Sequence, residues 1–209
     1  MSAPHDGDRL HTEVTVGPGA DLHVTSAAAT VALPGPVPGH AVSDVTLRVE
    51  DSARLHWLPE PVISAAGSDL RQHIRIDLAP TARLVLSEQQ ILGRAHEPPG
   101  RLTSRITVRH DGRTLLDQHA AYGPGAPGWD GPAVLAGNRA VGQFLVVDPA
   151  YQDHLPDPHL LEDNPAHGVI TPLPGPGVLV TAVASDAGGL RHCLDTALRH
   201  LQLDVGAEA

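Results

Sequence analysis

Two glutamates are placed where a carboxylate could do chemistry. Glu88 follows Leu84 and Leu86 at every second position, and alternate residues of a strand point the same way. Its carboxylate therefore extends an apolar face, and it must either reach solvent at the strand end or be buried with a partner, because burying it alone costs several kcal/mol. Glu60 stands between Pro59 and Pro61, directly after Leu55-His56-Trp57-Leu58. The flanking prolines stiffen the backbone and end that strand. Each glutamate also reads plainly as a turn or strand-end residue. Fourteen histidines are many for 209 residues, and imidazole suits transition metals. They are scattered: the closest pair, His154 and His159, lies in a Pro-rich stretch at a spacing that matches no metal motif. His23 and His56 share one position in two repeats and would lie one above the other on a sheet face. Solvated surface histidine is the alternative for every one of them.

No motif for catalysis accompanies these groups. The chain has no Gly-rich phosphate loop, no His-Glu-x-x-His pair and no Gly-x-Ser-x-Gly elbow. Cys193 is the sole cysteine, which excludes an intramolecular disulfide and a cysteine zinc cluster.

The elements that must hold these residues are strands. Period-two alternation recurs at Leu10 to Val16, Val42 to Val49, Ile74 to Leu78, Arg83 to Glu88, Leu102 to Val108 and Phe144 to Val147. A template also repeats: an apolar strand end, a three-residue polar or Gly/Pro turn, Ala, then Leu two residues later. Its alanines are Ala20, Ala53 and Ala82, and Val108 to Leu115 is a looser copy with an Asp-Gly hairpin signal. A turn every 29 to 33 residues predicts a mainly β fold of stacked strand or hairpin layers, solenoid- or sandwich-like, with ordinary look-alike hairpins as the alternative. The chain is expected to form a single domain over 1–209, with a Pro/Gly-rich loop at about 148–177 and a small C-terminal helix at about 187–203. In that helix Asp186 is the N-cap, Leu190, Leu194, Ala197, Leu198 and Leu201 form the apolar stripe, and Cys193 is a packing residue.

Composition narrows the function. The basic residues are all Arg and the net charge is -10 with histidines neutral, the opposite of a phosphate-tracking surface, so nucleic acid is not an expected partner. Nothing resembles a signal peptide or a span of ~20 apolar residues, so no membrane association is expected and the cytoplasm is the simplest location.

The run Leu55-His56-Trp57-Leu58-Pro59-Glu60-Pro61 resembles the UreD (UreH) urease accessory family, in which a hydrophobic strand leads into Trp-Leu-Pro-Glu/Gln. Leu84 to Arg94, with Glu88 inside it and Leu92-Gly93-Arg94 at its end, is similar to that family's glutamate-bearing strand followed by Gly-Arg. Gly7-Asp8-Arg9-Leu10, Thr25-Ser26-Ala27-Ala28 and Val108-Arg109-His110-Asp111-Gly112 match further elements in order. The likeness runs from about residue 7 to 122, and more weakly from 173 to 203. Family members commonly carry some tens of residues before the Gly-Asp turn, and the segment 148–172 has no counterpart. The resemblance implies a mostly β protein without catalytic activity and without a tightly bound cofactor. It implies a complex with the accessory proteins UreF and UreG on apo-urease, and nickel handled transiently on its way into the enzyme. Glu60, Glu88 and Asp8 are then the expected path-lining or partner-facing carboxylates, and Trp57, Leu58, Pro59, Gly93 and Arg94 the family-motif residues. Two other classes stay open. A cupin-like metalloenzyme predicts histidines converging on one metal, and a generic β-rich binding or structural module predicts regular stacking without buried carboxylates.

Overall fold

The repeated template is the corner of a coil. In the computed structural model, which describes residues 4–37, 39–163 and 166–203, the Ala20, Ala53 and Ala82 N–H groups donate to the carbonyls of Gly17, Glu50 and Ala79. The corners then stack, with Arg54 N–H donating to Ala20 O and Arg83 N–H to Ala53 O, both at 2.9 Å. The Thr81 hydroxyl ties two layers by accepting from Ser52 N–H at 2.8 Å and donating to Asp51 at 2.9 Å.

Three coils follow one another: β1 (Arg9–Val16), β2 (Asp21–Thr25) and β3 (Thr30–Ala32); β4 (Ala41–Val49), β5 (Arg54–Leu58) and β6 (Val62–Ser64); β7 (Asp69–Leu78) and β8 (Arg83–Leu92). Equivalent strands pair in parallel and in register. β9 (Arg101–His110) starts a fourth coil, but Asp111 and Gly112 both have positive φ, 49° and 71°. That is the geometry of a two-residue hairpin, so β10 (Arg113–Tyr122) returns antiparallel within the same sheet and the stacking ends. The looser fourth copy of the template is thus a hairpin.

Two sheets result. One has the order β1-β4-β7-β9-β10. The other continues through β11 (Ala140–Val147), β12 (His159–Asp163), β13 (Ala166–Pro172) and β14 (Gly177–Ala184) in the order β12-β13-β14-β11-β8-β5-β2, with β6 and β3 on the second half of β8. Between those halves the four residues Leu58 to Pro61 face the three residues Ser87 to Gln89. This is a bulge that prolines without N–H groups suit. The mainly β, solenoid-like layering expected from the repeat is what the chain adopts.

The stretch 148–177, expected as one Pro/Gly-rich loop, holds a 3-10 helix (Pro149–Gln152), β12 and β13. The prolines lie between and at the ends of these pieces, where they cost few ladder hydrogen bonds. Helix α1 (Ala187–His200) is capped by Asp186, whose Oδ1 accepts from Gly189 N–H at 2.9 Å, and it is somewhat shorter than the expected 187–203. Its buried stripe is Leu190, Cys193, Leu194, Ala197 and Leu198, and it lies on the outer face of the nine-stranded sheet. Gly142 lets it approach: a Cβ there would lie 2.9–3.1 Å from Leu194 and Leu190 methyl groups. Among the described residues no helix is long and apolar enough to cross a membrane.

Candidate functional site: a polar belt between two apolar cores

Strand alternation sends Leu70, Gln72, Ile74 and Ile76 of β7 inward, and likewise Leu102, Ser104, Ile106 and Val108 of β9. The apolar members fall into two clusters. Leu70, Leu92, Leu102, Tyr122 and Val141 belong to one; Leu47, Ile76, Leu84, Leu86, Ile106 and Leu145 belong to the other. Between them β4, β7, β8, β9, β11 and β14 each place a polar residue. Ser43, Gln72 and Ser104 sit side by side in register, and Gln118 on β10 lies two pairs away, opposite Ile106. Across the sandwich Glu88 pairs with Gln143, and Gln143 with Thr181.

Among the described residues Glu88 is the only carboxylate in this belt's cavity, a space of about 40 Å³ also lined by Gln90, Ser104, Gln118, Tyr122, Gln143 and Thr181. That is room for a few water molecules at ~10–15 Å³ each. Three side chains donate to the carboxylate: Gln143 Nε2 to Oε2 at 2.7 Å, Gln90 Nε2 to Oε1 at 3.0 Å, and the Ser104 hydroxyl to Oε1. Burial pushes the Glu88 pKa above the usual carboxylate range, and these three donors oppose the rise without cancelling it. Tyr122 is pushed up to about 12, first by burial and then by the Glu88 charge. The buried Oε1 atoms of Gln118 and Gln72 accept no hydrogen bond from the described residues. The belt therefore offers oxygen atoms to a guest, among them those of a carboxyl group whose pKa burial raises.

The structure does not bring the three expected carboxylates together. Glu60 lies in the bulge, where its N–H donates to Ser26 Oγ at 2.9 Å and its Oε2 accepts from Arg191 of α1 at 3.0 Å. It ties the helix to the second coil. Asp8 accepts from the His5 N–H at 2.9 Å and closes the turn before β1. The motif residues build the frame. Trp57 packs on the core between the sheets, and Leu58 on the cluster under α1. Pro59 starts the bulge. Gly93, at φ 88°, leaves room that a Cβ would take from Glu97 O at 2.9 Å. Arg94 grips Glu97 with Nε at 2.8 Å and Nη2 at 2.9 Å, and Glu97 accepts in addition from Ala66 N–H at 3.2 Å. That grip holds the Glu97 carboxyl at about 2.

His23 and His56 do lie one above the other, ring to ring at 5.1 Å and edge-to-face. His159 stacks on His200, not on His154, at 4.1 Å. Among the described residues no three His, Cys, Asp or Glu side chains cluster as metal ligands do. Sequence reasoning missed Ser104, Gln90, Gln118, Gln143 and Tyr122. Their signal was a polar residue in the inward phase with apolar neighbours two residues away, as in Leu102-Thr-Ser104-Arg-Ile106 and Val141-Gly-Gln143-Phe-Leu145.

The family model described as UreD urease accessory protein matches residues 3–209. Urease accessory protein UreD 3 of Streptomyces griseus is 60% identical over 204 residues, covering 96% of this chain and 78% of the relative. Urease accessory protein UreD 2 of Saccharopolyspora erythraea is 58% identical over 201 residues, covering 95% of this chain and 71% of the relative. The Streptomyces coelicolor relative, a urease accessory protein UreD, is 54% identical over 202 residues, with 96% and 78% covered. A family match over nearly the whole chain, together with relatives this similar, means that the chain belongs to the UreD urease accessory protein family.

Proposed function

We propose that this chain is a non-catalytic scaffold in urease maturation, which binds UreF, UreG and apo-urease in the cytoplasm and lets nickel pass to the enzyme through its polar belt. Membership of the family supports the maturation role. The observation that carries the finer reading is Glu88, the only carboxylate among the described residues that line a cavity walled otherwise by amide, hydroxyl and phenol groups. Oxygen donors hold a divalent transition metal less tightly than imidazole or thiolate would, and conduction needs a site that releases its ion. Glu88 would supply the carboxylate for the cation, and Gln118, which lines the same cavity, holds a carbonyl oxygen that accepts no hydrogen bond from the described residues. Glu60 and Asp8 are exposed at the surface and are suited to face partners.

The test is urease activity and nickel content in cells that carry the urease operon with this gene deleted, then restored as wild type, Glu88→Gln or Glu60→Ala. Activity falls on deletion while urease subunit levels hold, and soluble Glu88→Gln restores less nickel than wild type. Undiminished activity after deletion would sink the maturation role. Full nickel loading by Glu88→Gln would sink the path through the belt alone.

A further inference from the structure

The outer face of the five-stranded sheet concentrates positive charge on a chain whose net charge is -10. Neighbouring strands β4, β7 and β9 carry Arg48, Arg71, Arg75, Arg101, Arg105 and Arg109 at outward positions. Cross-strand ion pairs neutralise part of it: Glu13 with Arg48 at 3.0 Å, Asp44 with Arg75 at 3.2 Å, and Asp117 with Arg105 at 2.8 Å. Arg109 donates to Gly112 O at the β9–β10 hairpin. Arg71 is paired only loosely, with Asp69 Oδ1 at 3.8 Å, and no carboxylate of the described residues pairs with Arg101.

Both arginines line one groove of about 640 Å³ that crosses β4, β7, β9 and β10, with His40 and His119 among its other lining residues. Among the described residues Asp44 is the only carboxylate in its lining, and it is already held by Arg75. Four strands at ~4.8 Å spacing make the groove ~14 Å across, the length of about four extended residues at ~3.3 Å each. One small anion would engage only a fraction of that span.

We propose that this groove docks an acidic polypeptide segment in extended form, its carboxylates reaching Arg71 and Arg101. The apolar surfaces of Val42, Ala121 and Pro127, which also line the groove, accept the aliphatic parts of such a segment. The groove lies on the outer side of the sheet whose inner side faces the Glu88 cavity, with Ser104 lining both, and the proposal goes beyond the maturation reading.

Fluorescence anisotropy of a dye-labelled hexaglutamate peptide, titrated with the full chain, tests it without reference to urease. Binding is saturable and weakens with salt. The double variant Arg71→Glu/Arg101→Glu weakens it at least about tenfold, whereas Arg113→Glu, on the β9–β10 hairpin outside the groove, changes it less than about twofold. If the charge reversals unfold the chain, Arg71→Gln/Arg101→Gln carries the same comparison. Absence of saturable binding, a double variant that binds like wild type, or displacement of the peptide by inorganic phosphate at equal charge would each overturn the proposal. The last outcome would mark a single-anion pocket.

Discussion

Replacing Glu88 by Gln preserves the shape of the side chain and removes its titration. In the wild type, burial raises the Glu88 pKa, so the folded chain keeps this proton to a higher pH than the unfolded chain, where a glutamate ionises at about 4.3. The stabilisation from the neutral acid is complete below that pH and is lost as pH rises through the folded-state pKa. For one proton the limiting slope is about 1.4 kcal/mol per pH unit. Glu88→Gln has no such slope, so its unfolding free energy gains on the wild type as pH rises and levels off above the folded pKa. Gln143 can turn its amide to offer oxygen to the new NH₂, while Ser104 and Gln90 keep an acceptor at Oε1. Glu88→Ala strips the acceptor from all three donors. An unsatisfied buried donor costs about 1–3 kcal/mol, and water entering the enlarged cavity offsets part of it, so a net loss of about 2 kcal/mol or more is expected. Urea unfolding followed by circular dichroism, repeated from about pH 4 to about pH 8, measures both differences. A wild-type minus Gln difference that stays flat, or that shifts in favour of the wild type with rising pH, would refute the reasoning.

Three further outcomes rest on the frame around the belt. Gly142→Ala presses a methyl group into Leu190 and Leu194 and destabilises by about 1–3 kcal/mol in the same urea assay, with α1 the element that loosens. Arg94→Ala removes the guanidinium from Glu97, whose carboxyl climbs from about 2 toward the ordinary carboxylate range in a carbon-detected NMR titration and stops short of it because the residue-94 and Ala66 N–H groups still donate; the depressed pKa means that this clamp supports the fold above about pH 4 and weakens as pH falls toward 2. Asp186→Ala removes the cap on α1 and costs about 1 kcal/mol, seen as a lowered midpoint and faster amide exchange in the first helical turn.

The coil architecture was legible because corner chemistry is repetitive. Ala53 and Ala82 have no exposed surface, and a corner that must stack on the next leaves room for little besides Ala, which is why the template survives as a sequence repeat. The inward phase of Glu88 was legible from Leu84 and Leu86 for the same reason that any strand face is. Its partners were not, because they come from strands whose pairing the sequence does not announce: Gln143 lies 55 positions away and joins through an antiparallel β11 outside the repeat. Glu60 shows the opposite failure. Its local chain is read correctly as a strand end, yet the bulge turns its side chain toward Arg191, 131 residues on, and no local pattern specifies that meeting. The two strands inside 148–177 were hidden because β12 and β13 are short and bounded by prolines.

The belt is hard to explain as a device for stability. Ser104 and Gln72 stand where Leu or Ile stands two residues away on either side, and filling the row with apolar side chains would merge the two clusters into one core. Such a replacement of buried polar groups by packed apolar ones is often neutral or stabilising. The arrangement is also incompletely satisfied, with Gln72 and Gln118 each holding a buried oxygen that accepts nothing from the described residues, which is the more costly form of a polar interior. A fold whose corners and capped helix are locally consistent departs from consistency along a row of polar residues shared by its two sheets. Departures of that kind mark the places where a protein works. Here the row contains a carboxyl group raised in pKa, three donors that can reorient, and room for a few small guests.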